Sequence, residues 1–244
     1  MKTTIKTLAL AASILLGAVA CTANAGTSAT EEVKQAFAGR FPNREVMSVS
    51  ETPLKGIFEV VVKGKQVVYV DEKVNYIFVG DMIDAERKVS LTEEKMADLN
   101  KVDFSKLPFQ YAIKEVRGNG ARKMAVFTDP DCPFCKRLEQ DSLKGVTNVT
   151  IYTFLYPLDE LHPDASRKAR QIWCSKDRAA TWTAFMRDGK PLTGSDKCDT
   201  PIAKIQEIGS QLGITGTPGL IFANGRMVPG AIDTAQIEQL LNAK

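Results

Sequence analysis

A chain of 244 residues, 44% hydrophobic and 25% charged, has the make-up of an ordinary globular protein of one or two domains. Its formal net charge is +3, and two of the positive charges, Lys2 and Lys6, fall in a segment expected to be removed. The near-neutral remainder gives no electrostatic case for nucleic acid or an anionic membrane as a partner.

Residues 1–25 read as an export signal. Lys2 and Lys6 form a basic start, residues 8–20 an apolar run too short to span a bilayer, and Ala23-Asn24-Ala25 a small-residue cleavage site. Cys21, just after the apolar run, would carry lipid in a lipoprotein. Ala18 stands where such a signal has leucine, so the reading is cleavage after Ala25 and an exported protein starting at Gly26. Four cysteines then remain: Cys132, Cys135, Cys174 and Cys198. An even number in an exported chain suggests two disulfides, whose connectivity the count does not fix. The two-residue gap makes Cys132 and Cys135 a local pair and leaves Cys174 with Cys198.

In chain order, residues 31–37 carry a short helical pattern stopped by Gly39 and Pro42. Strand patterns follow at 45–50, 57–63, 66–70 and 75–79, with Gly64-Lys65 as a hairpin signal. Ser90 and Glu93 form a predicted capping box opening a charged helix over 91–100, and Pro108 closes this connector. Strands at 111–116 and 123–128 flank the turn Gly118-Asn119-Gly120. A helix starts at Cys132 and runs to 143, and 149–155 is an apolar strand. Helices at 163–174 and 178–187 form an insertion, followed by a helix at 201–212. Strands at 219–223 and 226–228 join through Asn224-Gly225, and a helix at 235–241 ends the chain. The alternation predicts an α/β (α+β) chain with a mixed central sheet covered on both faces.

Disulfide exchange needs a sulfur that attacks as a thiolate and can leave again. Cys132 follows a predicted strand and opens a helix, where unpaired N–H groups favour an anion and lower the thiol pKa. Pro133 suits a first helical turn because its missing N–H needs no partner there. Cys135, one turn on, can resolve a mixed disulfide formed at Cys132. Two other readings fit the pair. A zinc site would draw on Cys174 and Cys198, but these form no second C-x-x-C, and His162, the one histidine, is not at finger spacing. A purely structural 132–135 disulfide would close too small a loop to gain much. Thr217-Pro218 precedes the strand at 219–223; a cis-proline there, facing the cysteine pair, would let a substrate strand pair with the backbone beside it.

The segments Phe127-Thr128-Asp129-Pro130-Asp131-Cys132-Pro133-Phe134-Cys135-Lys136, Ile172-Trp173-Cys174-Ser175-Lys176-Asp177, Gly216-Thr217-Pro218 and Val228-Pro229-Gly230 resemble the DsbC/DsbG family of periplasmic disulfide isomerases. The likeness covers essentially the mature chain and is strongest over 123–230. It implies a V-shaped homodimer with an N-terminal dimerisation domain at 26–86, a linker helix at 87–108 and a thioredoxin-like catalytic domain with a helical insertion at 109–244. It implies misoxidised or unfolded exported proteins as clients and reduction by a DsbD-like membrane protein, with no cofactor and no metal. Cys132 and Cys135 take the catalytic roles; Thr217, Pro218, Pro133 and Phe134 contact substrate; Cys174–Cys198 becomes a stable, non-catalytic disulfide. The Pro-Phe dipeptide between the cysteines departs from the Gly-Tyr of DsbC and is nearer the Pro-Tyr of DsbG, while Trp173-Cys174 and the second cysteine pair lean toward DsbC.

A DsbA-like oxidase and a holdase chaperone with incidental thiols are the competing functions. Residues around 76–82, with Gly80 allowing close approach, are the expected strand pairing across the dimer axis. Asp129 and Asp131 are expected to cap the active-site helix without a catalytic role, Lys136 and Arg137 to be solvated, His162 to lie on the surface, and Trp173 to pack in the insertion.

Overall fold

The computed structural model describes residues 28–243, so the export signal and Cys21 lie outside the described residues. The chain divides into two compact units. The first runs through Lys63 and resumes over Val68–Phe78; the second comprises Gly64–Val67 and the chain from Val79 onward.

The first unit begins with helix α1 (Ala29–Arg40). Ser28 caps it by accepting the Glu31 N–H, and Glu31 and Glu32 sit favourably in the first turn. Strands β1 (Val46–Glu51), β2 (Ile57–Val62), β3 (Gln66–Asp71) and β4 (Ile77–Phe78) form one sheet in that order. Gly64 and Lys65, both at positive φ, make the tight turn that their sequence predicts. Alternate residues of β2, Phe58, Val60 and Val62, meet Val33 and Phe37 of α1 in a single core. Neither β4 nor the residue before it buries anything: Tyr76, Ile77 and Phe78 are all exposed.

The second unit opens with a two-stranded ribbon, β5 (Ile83–Asp84) and β6 (Val89–Ser90). Helix α2 (Leu91–Leu99) follows, with Ser90 Oγ accepting from the Glu93 N–H, the first half of the predicted capping box. After two short 3-10 turns on either side of Pro108 come β7 (Ile113–Arg117), β8 (Arg122–Thr128), helix α3 (Pro133–Arg137) and β9 (Val149–Leu155). Helices α4 (Ala165–Cys174), α5 (Arg178–Met186) and α6 (Ile202–Gln211) precede β10 (Gly219–Phe222), β11 (Met227–Pro229) and α7 (Thr234–Asn242).

These strands form a five-stranded mixed sheet in the order β11-β10-β8-β9-β7, parallel only between β8 and β9. Period two sorts its faces. Met124 and Val126 of β8, Ile151 of β9 and Leu220 and Phe222 of β10 pack with Leu138 and with Ile237 of α7. The intervening Ala125, Phe127, Phe154 and Ile221 pack with Ile205 of α6 on the other face. Phe127 and Phe154 stack there at 4.7 Å between centroids.

Two details go beyond the sequence reading. The strands flanking Gly118-Asn119-Gly120 do not pair with each other; β9 lies between them. Asn148, just before β9, holds the turn: its Oδ1 accepts the Asn119 N–H and its carbonyl accepts the Arg122 N–H. A β-carbon at Gly118 would lie 2.3 Å from that Oδ1, which with a φ of +58° explains the glycine. The helix after Cys132 is also not uniform. It stops at Arg137 and passes into a π-turn, Leu138–Ser142, with the Leu143 N–H donating to the Leu138 carbonyl.

Candidate active site

Strand β8 delivers its chain to the site as a run of fully buried residues ending at Thr128. The Asp129 carbonyl then accepts the Cys132 N–H, and Asp129 Oδ1 accepts the Asp131 N–H at 2.7 Å, folding the loop tightly. Cys132 is the N-cap residue of α3, with extended backbone and Pro133 at the first helical position. Its sulfur lies 3.3 Å from the Thr217 carbonyl, which accepts the thiol hydrogen. The Thr217–Pro218 peptide bond is cis, and the Pro218 carbonyl accepts the Gly230 N–H, fixing this loop at the start of β10.

The two thiols are electrostatically unequal. A hydrogen bond from the Cys135 thiol lowers the Cys132 pKa to about 5, outweighing burial; the Thr217 hydroxyl and the N–H groups of Cys135 and Phe134 add to it. That hydroxyl is buried and makes no hydrogen bond among the described residues, which leaves it free to turn toward the sulfur. Burial pushes the Cys135 thiol up, and the neighbouring Cys132 adds to the shift, while Thr128 opposes it. A low-pKa thiol beside a thiol that resists ionisation is an arrangement in which the first can attack while the second stays protonated. The sequence assigned the low pKa to the helix N-terminus; the larger cause is the partner thiol, with the first-turn N–H groups assisting.

Both thiols sit in one apolar cluster with Ile113, Leu155, Ala169, Ile172, Trp173, Trp182 and Met186, so the helical insertion walls the site. Trp173 is packed as expected, and the Arg178 guanidinium lies 3.7 Å above its ring. Pro133 and Phe134 are exposed, and the Arg137 guanidinium lies over the Phe134 ring at 5.2 Å. Cys174 and Cys198 form a disulfide with Cα atoms 5.8 Å apart, closing the chain around α5. The two sulfurs that a four-cysteine zinc site would require are therefore bonded to each other. A loop of this length contributes roughly 3 kcal/mol in the chain-entropy picture.

Three sequence expectations need correction. Neither Asp129 nor Asp131 caps α3, which has no side-chain cap. Asp129 is fully buried, and its Oδ2 accepts the Leu158 N–H at 2.7 Å and faces His162 Nδ1 at 3.0 Å. Thus His162 is half-buried against the active-site loop rather than on the surface. Asp131 instead pairs with Lys168 of α4. Lys168 drew no notice in the sequence, because its partner lies 37 positions away and no local pattern connects them.

This arrangement has relatives. The thioredoxin-like domain family matches residues 109–244, and the disulfide bond isomerase N-terminal domain family matches residues 23–93. The probable thiol:disulfide interchange protein DsbC of Bordetella parapertussis is 41% identical over 212 residues, covering 86% of this chain and 74% of its own. The DsbC of Escherichia coli is 26% identical over 198 residues, 80% of each chain. A disulfide interchange protein from Neisseria gonorrhoeae superposes with a TM-score of 0.53 at 51% identity, over 55% of this chain and 96% of its own. With a thioredoxin-like fold, a C-x-x-C pair at the start of a helix and this degree of likeness, the chain belongs to the DsbC family of thiol:disulfide interchange proteins.

Proposed function

We propose that this thiol–disulfide oxidoreductase acts as an isomerase and reductase on wrongly paired disulfides of exported proteins, with Cys132 attacking and Cys135 resolving. The observation that carries the reading is the inequality of the pair: one thiol with a pKa of about 5, the other buried and shifted upward. The Cys132 thiolate attacks one sulfur of a client disulfide. That S–S bond breaks, a mixed disulfide forms, and the second client sulfur leaves as a thiolate. In isomerisation another client thiolate displaces Cys132, which departs as a thiolate with no net electron transfer. In reduction Cys135 loses its proton and attacks Cys132, releasing the client sulfur; two electrons pass to the client and the pair becomes a disulfide. Thr217, Pro133 and the exposed ring of Phe134, backed by the buried Pro218, form the surface on which the client rests.

A Cys135→Ala variant tests this assignment. It is expected to accumulate mixed disulfides with a scrambled-disulfide ribonuclease, all linked through Cys132, and to lose reductase turnover. Refolding of that ribonuclease unaffected by a Cys132→Ala, Cys135→Ala double variant would return the field to a holdase with incidental thiols.

A pair with so acidic a thiol is oxidising, since the thiolate stabilises its reduced form. Its potential is expected between roughly −120 and −200 mV. Resting as a dithiol therefore needs a reducing partner, for which a DsbD-like membrane reductase fits, and protection from the oxidising machinery. We assign that protection to a homodimer in the periplasm, formed by the N-terminal domain at 26–86, carried on a linker at 87–108 and followed by the catalytic domain at 109–244. The exposed apolar edge at Tyr76 and Phe78, 69% and 53% accessible, supports the pairing surface. Gly80 has φ +142°, so any side chain there strains the backbone; Phe78→Asp is the cleaner probe. That variant is expected to be monomeric by light scattering, with Cys132–Cys135 oxidised in cells. A monomer that stays reduced there would show that dimerisation does not protect the pair.

A further inference from the structure

The charged groups around Cys132 are committed unequally. Of the two carboxylates in the loop before it, Asp129 is fully buried and tied up by the Asp131 and Leu158 N–H groups and by His162. Asp131 is the immediate neighbour of Cys132, and its side chain is only 17% exposed. Its Oδ1 lies 2.5 Å from Lys168 Nζ on α4. Lys168 also comes within 3.4 Å of Asp164, but Arg167 already holds Asp164 through two bonds of 2.6 Å. The ammonium is thus left chiefly to Asp131. After Cys132, Lys136 and Arg137 lie over the rings of Phe185 and Phe134.

A carboxylate beside a nascent thiolate opposes its ionisation, and partial burial weakens the screening that would hide the effect. Asp131 nevertheless directly precedes the more acidic thiol of the pair in the chain. We propose that Lys168 is a positioning residue for disulfide exchange: it draws the Asp131 carboxylate onto α4 and cancels its charge, so that Cys132 ionises as though that neighbour were neutral. The inference rests on Cys132 being the attacking thiol. Asp131 in turn raises the pKa of Lys168, through the hydrogen bond first, which keeps the ammonium charged across the working pH range.

The test uses the full mature chain, reduced, with Cys132 followed by ultraviolet thiolate absorbance against pH and by the equilibrium with glutathione. Lys168→Met should make Cys132 a three- to tenfold weaker acid and shift the glutathione equilibrium by the same factor, making the pair less oxidising by about 15 to 30 mV. Asp131→Asn should shift both readings in the opposite direction. The Lys168→Met, Asp131→Asn double variant, which removes a neutral pair, should return to within twofold of wild type, and Lys168→Arg should stay there. A bridge that merely braces α4 would be broken in the double variant too, with no return. The inference is overturned if Lys168→Met leaves the titration within twofold of wild type, or if the double variant stays as displaced as Lys168→Met. Alkylation falling first on Cys135 in the wild type would instead overturn the assignment of the nucleophile.

Discussion

Reduced protein treated with iodoacetamide at pH 6 is expected to be alkylated at Cys132 and not at Cys135. A thiol of pKa about 5 is roughly nine-tenths ionised there, whereas an ordinary thiol at 9.0 is about one part in a thousand ionised. The lower basicity of the acidic thiolate reduces its intrinsic nucleophilicity, offsetting roughly a factor of 60. The net expectation is a reaction about ten- to twentyfold faster than that of an ordinary cysteine of equal accessibility. Cys132 is only 4% exposed, which lowers the absolute rate but not the shape of its pH profile. That profile should flatten above pH 6, while Cys135, buried and shifted upward, stays unlabelled. Peptide mapping after timed labelling measures both. A Cys132 rate still rising tenfold per unit at pH 8 would contradict the low pKa.

Arg187→Met is expected to destabilise the second unit by about 3–5 kcal/mol, the cost of stranding a buried carboxylate. Glu139, on the π-turn, has a side chain only 2% exposed and depends on Trp182 Nε1 at 3.0 Å and Arg187 Nε at 2.8 Å. Arg187 also grips Glu115 of β7 through both terminal nitrogens, at 3.0 and 2.7 Å, and Arg117 holds Glu115 from its own strand. Burial alone would raise the Glu115 pKa; the bonds from Arg187 and Arg117 instead lower it from 4.5 to about 2. As pH falls the unfolded chain therefore takes up this proton first. The stability that Glu115 contributes is complete above about pH 4.5 and lost on the way to about pH 2. Urea unfolding at pH 7 and across that acid range should show the wild type losing stability along this limb, and Arg187→Met starting lower with a shallower fall. Equal urea midpoints at pH 7 would mean that Trp182 and Arg117 suffice to hold the two carboxylates.

The central strands of the second unit were legible as short, continuous apolar runs, because both faces of their sheet are buried. The 149–155 prediction coincides with β9, whose alternate residues serve opposite faces of the sheet. The C-x-x-C motif was legible because it is confined to four consecutive residues. What could not be read is whatever depends on partners distant in sequence. The insertion of β9 between β7 and β8 is one such feature, and Asn148, which holds the turn between those two strands, lies some thirty positions from it. Glu139, within the stretch read only as a helix, is buried, because Trp182 and Arg187 arrive from α5 and its end. His162 and Lys168 reach the active-site loop only after β9 has carried the chain across the sheet. The β5–β6 ribbon escaped for the opposite reason, since two-residue strands are too short to show any pattern.

Trp173 and Trp182 are the only tryptophans of the chain, and both belong to the apolar cluster that contains Cys132 and Cys135. All of the protein's tryptophan emission thus originates beside the reactive pair. The first unit is silent in that channel, since its aromatic residues are phenylalanines and tyrosines such as Phe37 and Tyr69. An unfolding curve followed by this emission reports the catalytic region alone, whereas far-ultraviolet circular dichroism sums both units. Coincidence of the two curves then becomes a direct measure of whether the units unfold together.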